Sequence, residues 1–179
     1  MTEPSKTLQE QIGRVRWIVL DVDGVMTDGK LVIDSAGGEI RSFSVRDGLG
    51  IKIAQHAGIG FAIISGRDSP VVKSRAIELH IDEIHLGVHR KADCLREILE
   101  RRQIEPAAAC YIGDDVIDIP AMRLAGLGVA PSDADPAARA EADFVTETAG
   151  GHGVVREMVD MILQRRGEWD QTIASMFPH

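Results

Sequence analysis

The chain has 179 residues, 44% of them hydrophobic and 27% charged, which suits a single globular domain spanning 1–179 with a substantial apolar core. Its formal net charge of −8 supplies no basic field for a nucleic-acid backbone or an anionic membrane surface, which argues against both as partners. A small anionic substrate would therefore need a local device, such as a metal ion or a few placed Lys and Arg.

In chain order, the first apolar run, Trp17 to Leu20, stops at Asp21; no signal or spanning segment is expected, and the chain reads as cytoplasmic. K-L-V-I-D-S-A-G-G-E-I-R-S-F-S-V, from Lys30 to Val45, is two extended stretches around Gly37-Gly38 and predicts a projecting β-hairpin. Beyond it, strand-like runs at Phe61 to Ile64, Ile84 to Leu86, Cys110 to Ile112 and Leu127 to Ala130 alternate with helical spacing at Asp47 to His56, Pro70 to Leu79, Arg90 to Arg101 and Gly153 to Leu163. This alternation predicts an α/β fold, a Rossmann-like doubly wound parallel sheet with helices on both faces. Cys94 and Cys110, sixteen residues apart with no C-x-x-C spacing, read as reduced core residues. Periodicity fades after Arg165, so the tail to residue 179 is expected to be disordered or docked on a neighbour.

D-V-D-G-V-M-T-D-G follows the first strand, placing Asp21 and Asp23 at its carboxyl end, the edge where open α/β sheets bind ligands. Residues two apart in extended chain point the same way, so both carboxylates can face one site while Val22 turns to the core. A turn-forming D-x-D-G is common by itself. A second acidic string, Gly113-Asp114-Asp115-Val116-Ile117-Asp118, follows another strand-like run, and two acidic strand ends on one edge make an oxygen-rich site suited to Mg²⁺. His80, His85 and His89 lack a zinc-binding pattern, and Gly48-x-Gly50 lacks dinucleotide-binding spacing.

D-V-D-G-V-M-T-D-G, then Ser65-Gly66-Arg67, then Lys91, then G-D-D-V-I-D, in that order, resemble the haloacid dehalogenase superfamily of phosphohydrolases. R-D-G-L-G-I at Arg46 to Ile51, L-G-V-H-R-K ending at Lys91, and G-G-H-G-V-V-R-E from Gly150 to Glu157 resemble one branch, the 3-deoxy-D-manno-octulosonate 8-phosphate phosphatases, over about Arg16 to Met161. The family pattern more often has Thr where Ser65 stands; the hydroxyl is kept.

The resemblance implies a Mg²⁺-dependent phosphomonoesterase. Asp21, an anion at neutral pH, would be the nucleophile and form an aspartyl-phosphate, and Asp23 would act as acid and then base. Ser65 and Lys91 would hold phosphoryl oxygens, and Mg²⁺ would sit on Asp21, the backbone carbonyl of Asp23, and Asp114. Asp115 and Asp118 would orient metal waters and Lys91, with helix capping the other reading for Asp115. The phosphorylated sugar acid would be met by Asp23, the stretch Ser44, Val45, Arg46, Asp47 and Gly48, then Lys52, Gly66, Arg67, Arg75 and Lys91. Relatives with a large cap insert a whole domain where this chain has only the hairpin. A capless chain implies a homotetramer whose neighbours supply the lid, with the hairpin and Gly150 to Gly153 plus Arg156 as contact elements. Two other readings share these motifs: a phosphatase for a sialic-acid-type 9-phosphate, and a non-catalytic oligomerisation module. The complete set Asp21, Asp23, Lys91 and Asp114 speaks against the second.

Overall fold

The computed structural model describes residues 6–178; the last residue of the expected tail, His179, and the first five residues lie outside the described range. Helix α1 (Lys6–Arg14) leads into β1 (Trp17–Leu20), and β2 (Val32–Ile33) and β3 (Glu39–Ile40) form the hairpin. There follow α2 (Val45–His56), β4 (Gly60–Ile64), α3 (Pro70–Glu78), β5 (Glu83–His85), α4 (Lys91–Arg102), β6 (Ala109–Ile112), α5 (Ile119–Leu124), β7 (Leu127–Ala130), α6 (Pro136–Glu141), β8 (Phe144–Val145), α7 (Val154–Arg165) and α8 (Trp169–Met176).

Six strands form one sheet in the order β5-β4-β1-β6-β7-β8, every pair parallel. The chain builds outward from β1 to β5, then returns to lay β6 on the other side of β1 and builds outward again. β1 and β6 therefore flank the point where the winding reverses, and the crevice above it is where such sheets bind ligands. Alternation along β1 divides the core: Ile18 and Leu20 face a layer with Ile51, Val72, Met158 and Ile162, while Val19 faces one with Leu95, Ile98 and Met122. So α2, α3 and α7 cover one face and α4 and α5 the other, as the α/β reading expected.

The structure departs from the sequence reading in two places and contains the predicted hairpin in a short form. The tail is neither disordered nor docked elsewhere: α8 packs Trp169, Ile173 and Met176 onto the chain's own core, residues spaced four and three apart on one face, with the Arg156 guanidinium 5.5 Å from the Trp169 ring. The short elements α5, α6 and β8 went unseen because two to six residues cannot display a period. The hairpin is barely strand, two residues on each side, closed by Asp34, whose Oδ1 accepts from Ala36 N at 2.8 Å and Gly38 N at 2.7 Å.

The edge strand β5 is pinned by charge. Buried Glu83 accepts from Arg101 at 2.6 Å and Arg102 at 2.7 Å, with His85 Nε2 2.9 Å away. Burial alone would raise its carboxyl, but these donors win and hold it near 2, below the ordinary 4.5. A depressed carboxylate stabilises the fold above the unfolded value and loses that stabilisation as pH falls from about 4.5 toward 2. Discounted for the half-exposed guanidiniums, the contribution is on the order of 1–2 kcal/mol. Glu83→Gln should therefore lower the melting temperature at pH 7 and flatten its fall between pH 5 and 2; an unchanged slope in a pH series of thermal melts would refute the assignment.

Candidate active site

Asp21 leaves the end of β1 with its N–H donating to Ile112 O at 2.9 Å, so the first acidic string is tied to β6 at its root. Val22, fully buried, turns its carbonyl to accept from Val25, Met26 and Thr27, which curls the loop back over the sheet edge. Gly24 makes this possible: its φ is +81°, and a Cβ there would stand 2.0 Å from the Asp114 carboxylate oxygen. The loop at Gly150 and Gly151 closes on the same place, a Gly150 Cβ being 1.8 Å from Gly24 O, while Gly151 N donates to Val25 O at 2.8 Å. These two glycines of the Gly150 to Gly153 string thus face inward as a prop for the first loop.

Lys91, at the start of α4, is 2% exposed and lies between two carboxylates, Asp21 Oδ1 at 2.8 Å and Asp118 Oδ1 at 2.7 Å. Burial would lower its ammonium, but the two anions override that and hold it above its ordinary value. Asp118, fully buried, is saturated: Oδ1 also accepts from the Tyr111 hydroxyl at 2.7 Å, and Oδ2 from the N–H groups of Asp114 and Asp115 at 3.2 and 3.3 Å. It aims Lys91 and shapes the loop. Asp115 is exposed and accepts from its own neighbour, Val116 N, at 2.6 Å.

Oxygens of Asp21, Asp114 and Asp118 lie within 4.8 Å of one another. Burial, then Asp118's charge, push Asp21 up to about 6 against the pull of Lys91. Burial, then Asp21 and Asp118, push Asp114 up to about 8. Three carboxylates around one lysine are short of positive charge, and the donors are all hard oxygens, so a divalent cation fits and zinc-type ligands are absent from the cluster. Since Asp118 has no lone pair to spare, the side chains able to hold that ion are Asp21 and Asp114. The Asp23 carbonyl accepts no backbone hydrogen bond among the described residues.

The other sequence-predicted residues divide. The Asp23 side chain pairs with the Arg41 guanidinium, while Arg67 Nε, half-exposed, stands 3.9 Å from its other oxygen. Ser65, buried at the end of β4, donates its N–H to His85 O at 2.9 Å, and its Oγ accepts from Arg67 N at 3.3 Å; Gly66 follows it in the same turn. Ser44 caps α2 by accepting from Asp47 N at 3.3 Å, and Val45 is 82% exposed. Asp47 does not turn its carboxylate outward: Oδ1 accepts from Arg156 N at 2.9 Å, so it caps α7, and burial raises it against the pull of the N–H groups of Arg156, Val155 and Gly153. Gly48 lies under Arg75, where a Cβ would come 2.4 Å from Nη2. Arg75 shares a cavity of about 550 Å³ between the hairpin and α3 with Arg41 and Phe43. Arg46 lies on a separate groove beside Arg156, and Lys52 reaches Glu78 O at 3.3 Å and His80 Nδ1 at 2.6 Å. Arg41 and Tyr111 were missed by the sequence reading, Arg41 because a charge in an alternating hairpin reads as a solvent-facing residue, Tyr111 because a strand tyrosine reads as core.

Residues 80–158 match the family of haloacid dehalogenase-like hydrolases. The 3-deoxy-D-manno-octulosonate 8-phosphate phosphatase of Escherichia coli K12 is 41% identical over 157 residues, covering 88% of this chain and 84% of that one. The crystal structure of the Moraxella catarrhalis enzyme of that name, in complex with magnesium ion, phosphate ion and KDO, superposes with a TM-score of 0.91 at 36% identity, covering 95% of this chain and 98% of that one. The cobalt-bound form of the Haemophilus influenzae enzyme gives 0.86 at 39% identity, covering 94% and 96%.

Two outcomes test this geometry. Lys91→Met strands two buried carboxylates and should cost about 3–5 kcal/mol in chemical denaturation at pH 7; a loss under about 1 kcal/mol would show that the pair is not a unit. Mg²⁺ at roughly a hundredfold excess over its Kd should raise the melting temperature by on the order of 5 °C, and Asp114→Asn should abolish the rise.

Proposed function

We infer the activity from one premise: the chain belongs to the 3-deoxy-D-manno-octulosonate 8-phosphate phosphatase family of haloacid dehalogenase-like hydrolases. It is a phosphomonoesterase that releases phosphate from 3-deoxy-D-manno-octulosonate 8-phosphate and leaves the free sugar acid, a step toward lipopolysaccharide precursors. The observation that carries this reading is the pair of buried carboxylates, Asp21 and Asp118, on buried Lys91, with half-buried Asp114 beside them, at the winding reversal of the sheet.

The divalent ion of this site is Mg²⁺ in our reading, held by Asp21, Asp114 and the Asp23 carbonyl, and when bound it offsets the negative charge of nucleophile and phosphoryl group. Lys91 fixes Asp21 by its Oδ1 and adds positive charge beside the phosphoryl oxygens. A carboxylate oxygen of Asp21 attacks phosphorus; the bond from phosphorus to the ester oxygen breaks, and the alcohol leaves with the proton carried by Asp23. Asp23 then takes a proton from water, whose oxygen attacks the phosphorus of the aspartyl-phosphate and frees Asp21 and inorganic phosphate. The Ser65 hydroxyl and the N–H groups of its turn receive phosphoryl oxygens. Arg67, beside Asp23, and Arg75, in the adjoining cavity, are the nearest cations for a sugar-acid carboxylate; Ser44, Val45, Arg46 and Lys52 offer further surface that the substrate or a neighbouring copy would use, while buried Asp47 and Gly48 support it from beneath.

The assembly we propose is a homotetramer in which neighbours cover the open site. Support comes from Val32, Ile33 and Ile40 on the hairpin and Val116 and Ile117 after β6, all at least half exposed. A cytoplasmic location is proposed with it; among the described residues no helix is long and apolar enough to cross a membrane.

The deciding assay is phosphate release from 3-deoxy-D-manno-octulosonate 8-phosphate with and without Mg²⁺. Metal-dependent turnover that falls by about 10³-fold or more in Asp21→Asn is expected. Release only from a sialic-acid-type 9-phosphate would move the substrate; no release from either ester would return the chain to a non-catalytic role.

A further inference from the structure

The hairpin distributes its side chains against hydrophobic expectation. Val32, Ile33 and Ile40 are 54%, 62% and 57% exposed, whereas the side chain of the next residue, Arg41, is 1% exposed. A fold needing only a stable hairpin would tuck an isoleucine inward and leave the guanidinium in water, since burying a charge is costly unless every donor is matched. Arg41 is not fully matched: Nη1 pairs with Asp23 and Nε with Glu39, but Nη2 has no partner among the described residues. Its burial is therefore explained by what it holds.

The bracing behind it is continuous. Ser69 accepts from Val72 N as the cap of α3 and donates its hydroxyl to Glu39 at 3.1 Å; Glu39 holds Arg41, and Arg41 holds Asp23. The alternative partner of Asp23, Arg67, is 3.9 Å away and its side chain is 54% exposed, too distant and too solvated to fix an orientation.

We propose that Arg41 is a positioning residue for Asp23, holding that carboxyl group against the leaving oxygen of the phosphate ester; this rests on the phosphatase reading above. In the step concerned, the phosphorus–ester oxygen bond breaks as the bond to Asp21 forms, and the proton moves from Asp23 to the departing oxygen. An alkyl alcohol needs that proton. A p-nitrophenolate leaves without it.

The experiment compares phosphate release from 3-deoxy-D-manno-octulosonate 8-phosphate and from p-nitrophenyl phosphate, both with Mg²⁺. General acid catalysis contributes about 10²–10⁴-fold, and loss of orientation should forfeit part of it. Arg41→Met should therefore lower kcat on the sugar-acid ester by about tenfold or more and on the aryl ester by less than about threefold, with KM little changed. Arg41→Lys, which keeps the charge and guards against a folding artefact, should recover most of the loss. Glu39→Gln should give the same selective loss at smaller size. Equal losses on both esters, a rise in KM alone, or full activity in Arg41→Met would overturn the assignment. Asp23→Asn, run alongside, separates the causes: if it discriminates between the esters and Arg41→Met does not, Arg41 alone is wrong. If Asp23→Asn lowers both alike, the acid role of Asp23 falls and takes Arg41 with it, and a native chain inert on both esters refutes the phosphatase reading itself.

Discussion

Three carboxylates held around one ammonium set the terms for everything near them. Asp21, Asp114 and Asp118 would repel one another out of any loosely built loop, and Lys91 neutralises only one of the three charges. The fold answers by fixing each group with backbone before the charges are counted. Asp21 is tied to β6 by its own N–H, Asp118 is bound by two N–H groups and a buried tyrosine hydroxyl, and Lys91 enters from the first residue of a helix whose next turns pack Leu95, Ile98 and Leu99 into the core. The remaining negative charge is what gives the site its appetite for a divalent cation.

Topology does the gathering. Asp21, Ser65 and Asp114 follow β1, β4 and β6, three neighbouring strands, so groups separated by 44 and 93 positions in the sequence reach one edge without any long loop. Side-chain alternation along β1 then divides labour: the residues before Asp21 feed two apolar layers, and the first polar position falls where the strand runs out.

Most of this was legible because its signals are local. Strand-length apolar runs ending in D-x-D-G and G-D-D-x-x-D announce an acidic sheet edge, and the order of Ser65, Lys91 and the acidic strings carried the resemblance. What stayed hidden depends on distant partners. Asp47 looks like a substrate contact at a helix start, yet the N–H that takes its carboxylate belongs to Arg156, 109 positions later. A lysine at a helix start is usually solvated, and nothing in its neighbours says that Lys91 will be 2% exposed. Arg41 alternates with apolar residues that ought to be buried and are not. The tail helix carries only Trp169, Ile173 and Met176 as a stripe, too little to register beside its polar residues.

The contact of Gly150 and Gly151 with the loop of Gly24 has a temporal consequence. The carboxylates, the lysine and their strands are all present in the first 118 residues, but the prop that seats the first loop is separated from it by more than a hundred positions. During synthesis the sheet can pair β1 with β4 and then β6 well before that prop leaves the ribosome. The contact that seats the first loop is therefore one of high sequence separation, and its loop entropy is met only after Gly150 and Gly151 have been made. Until that stretch is made, a nascent chain holds the reactive groups without the glycine prop that packs against the first loop.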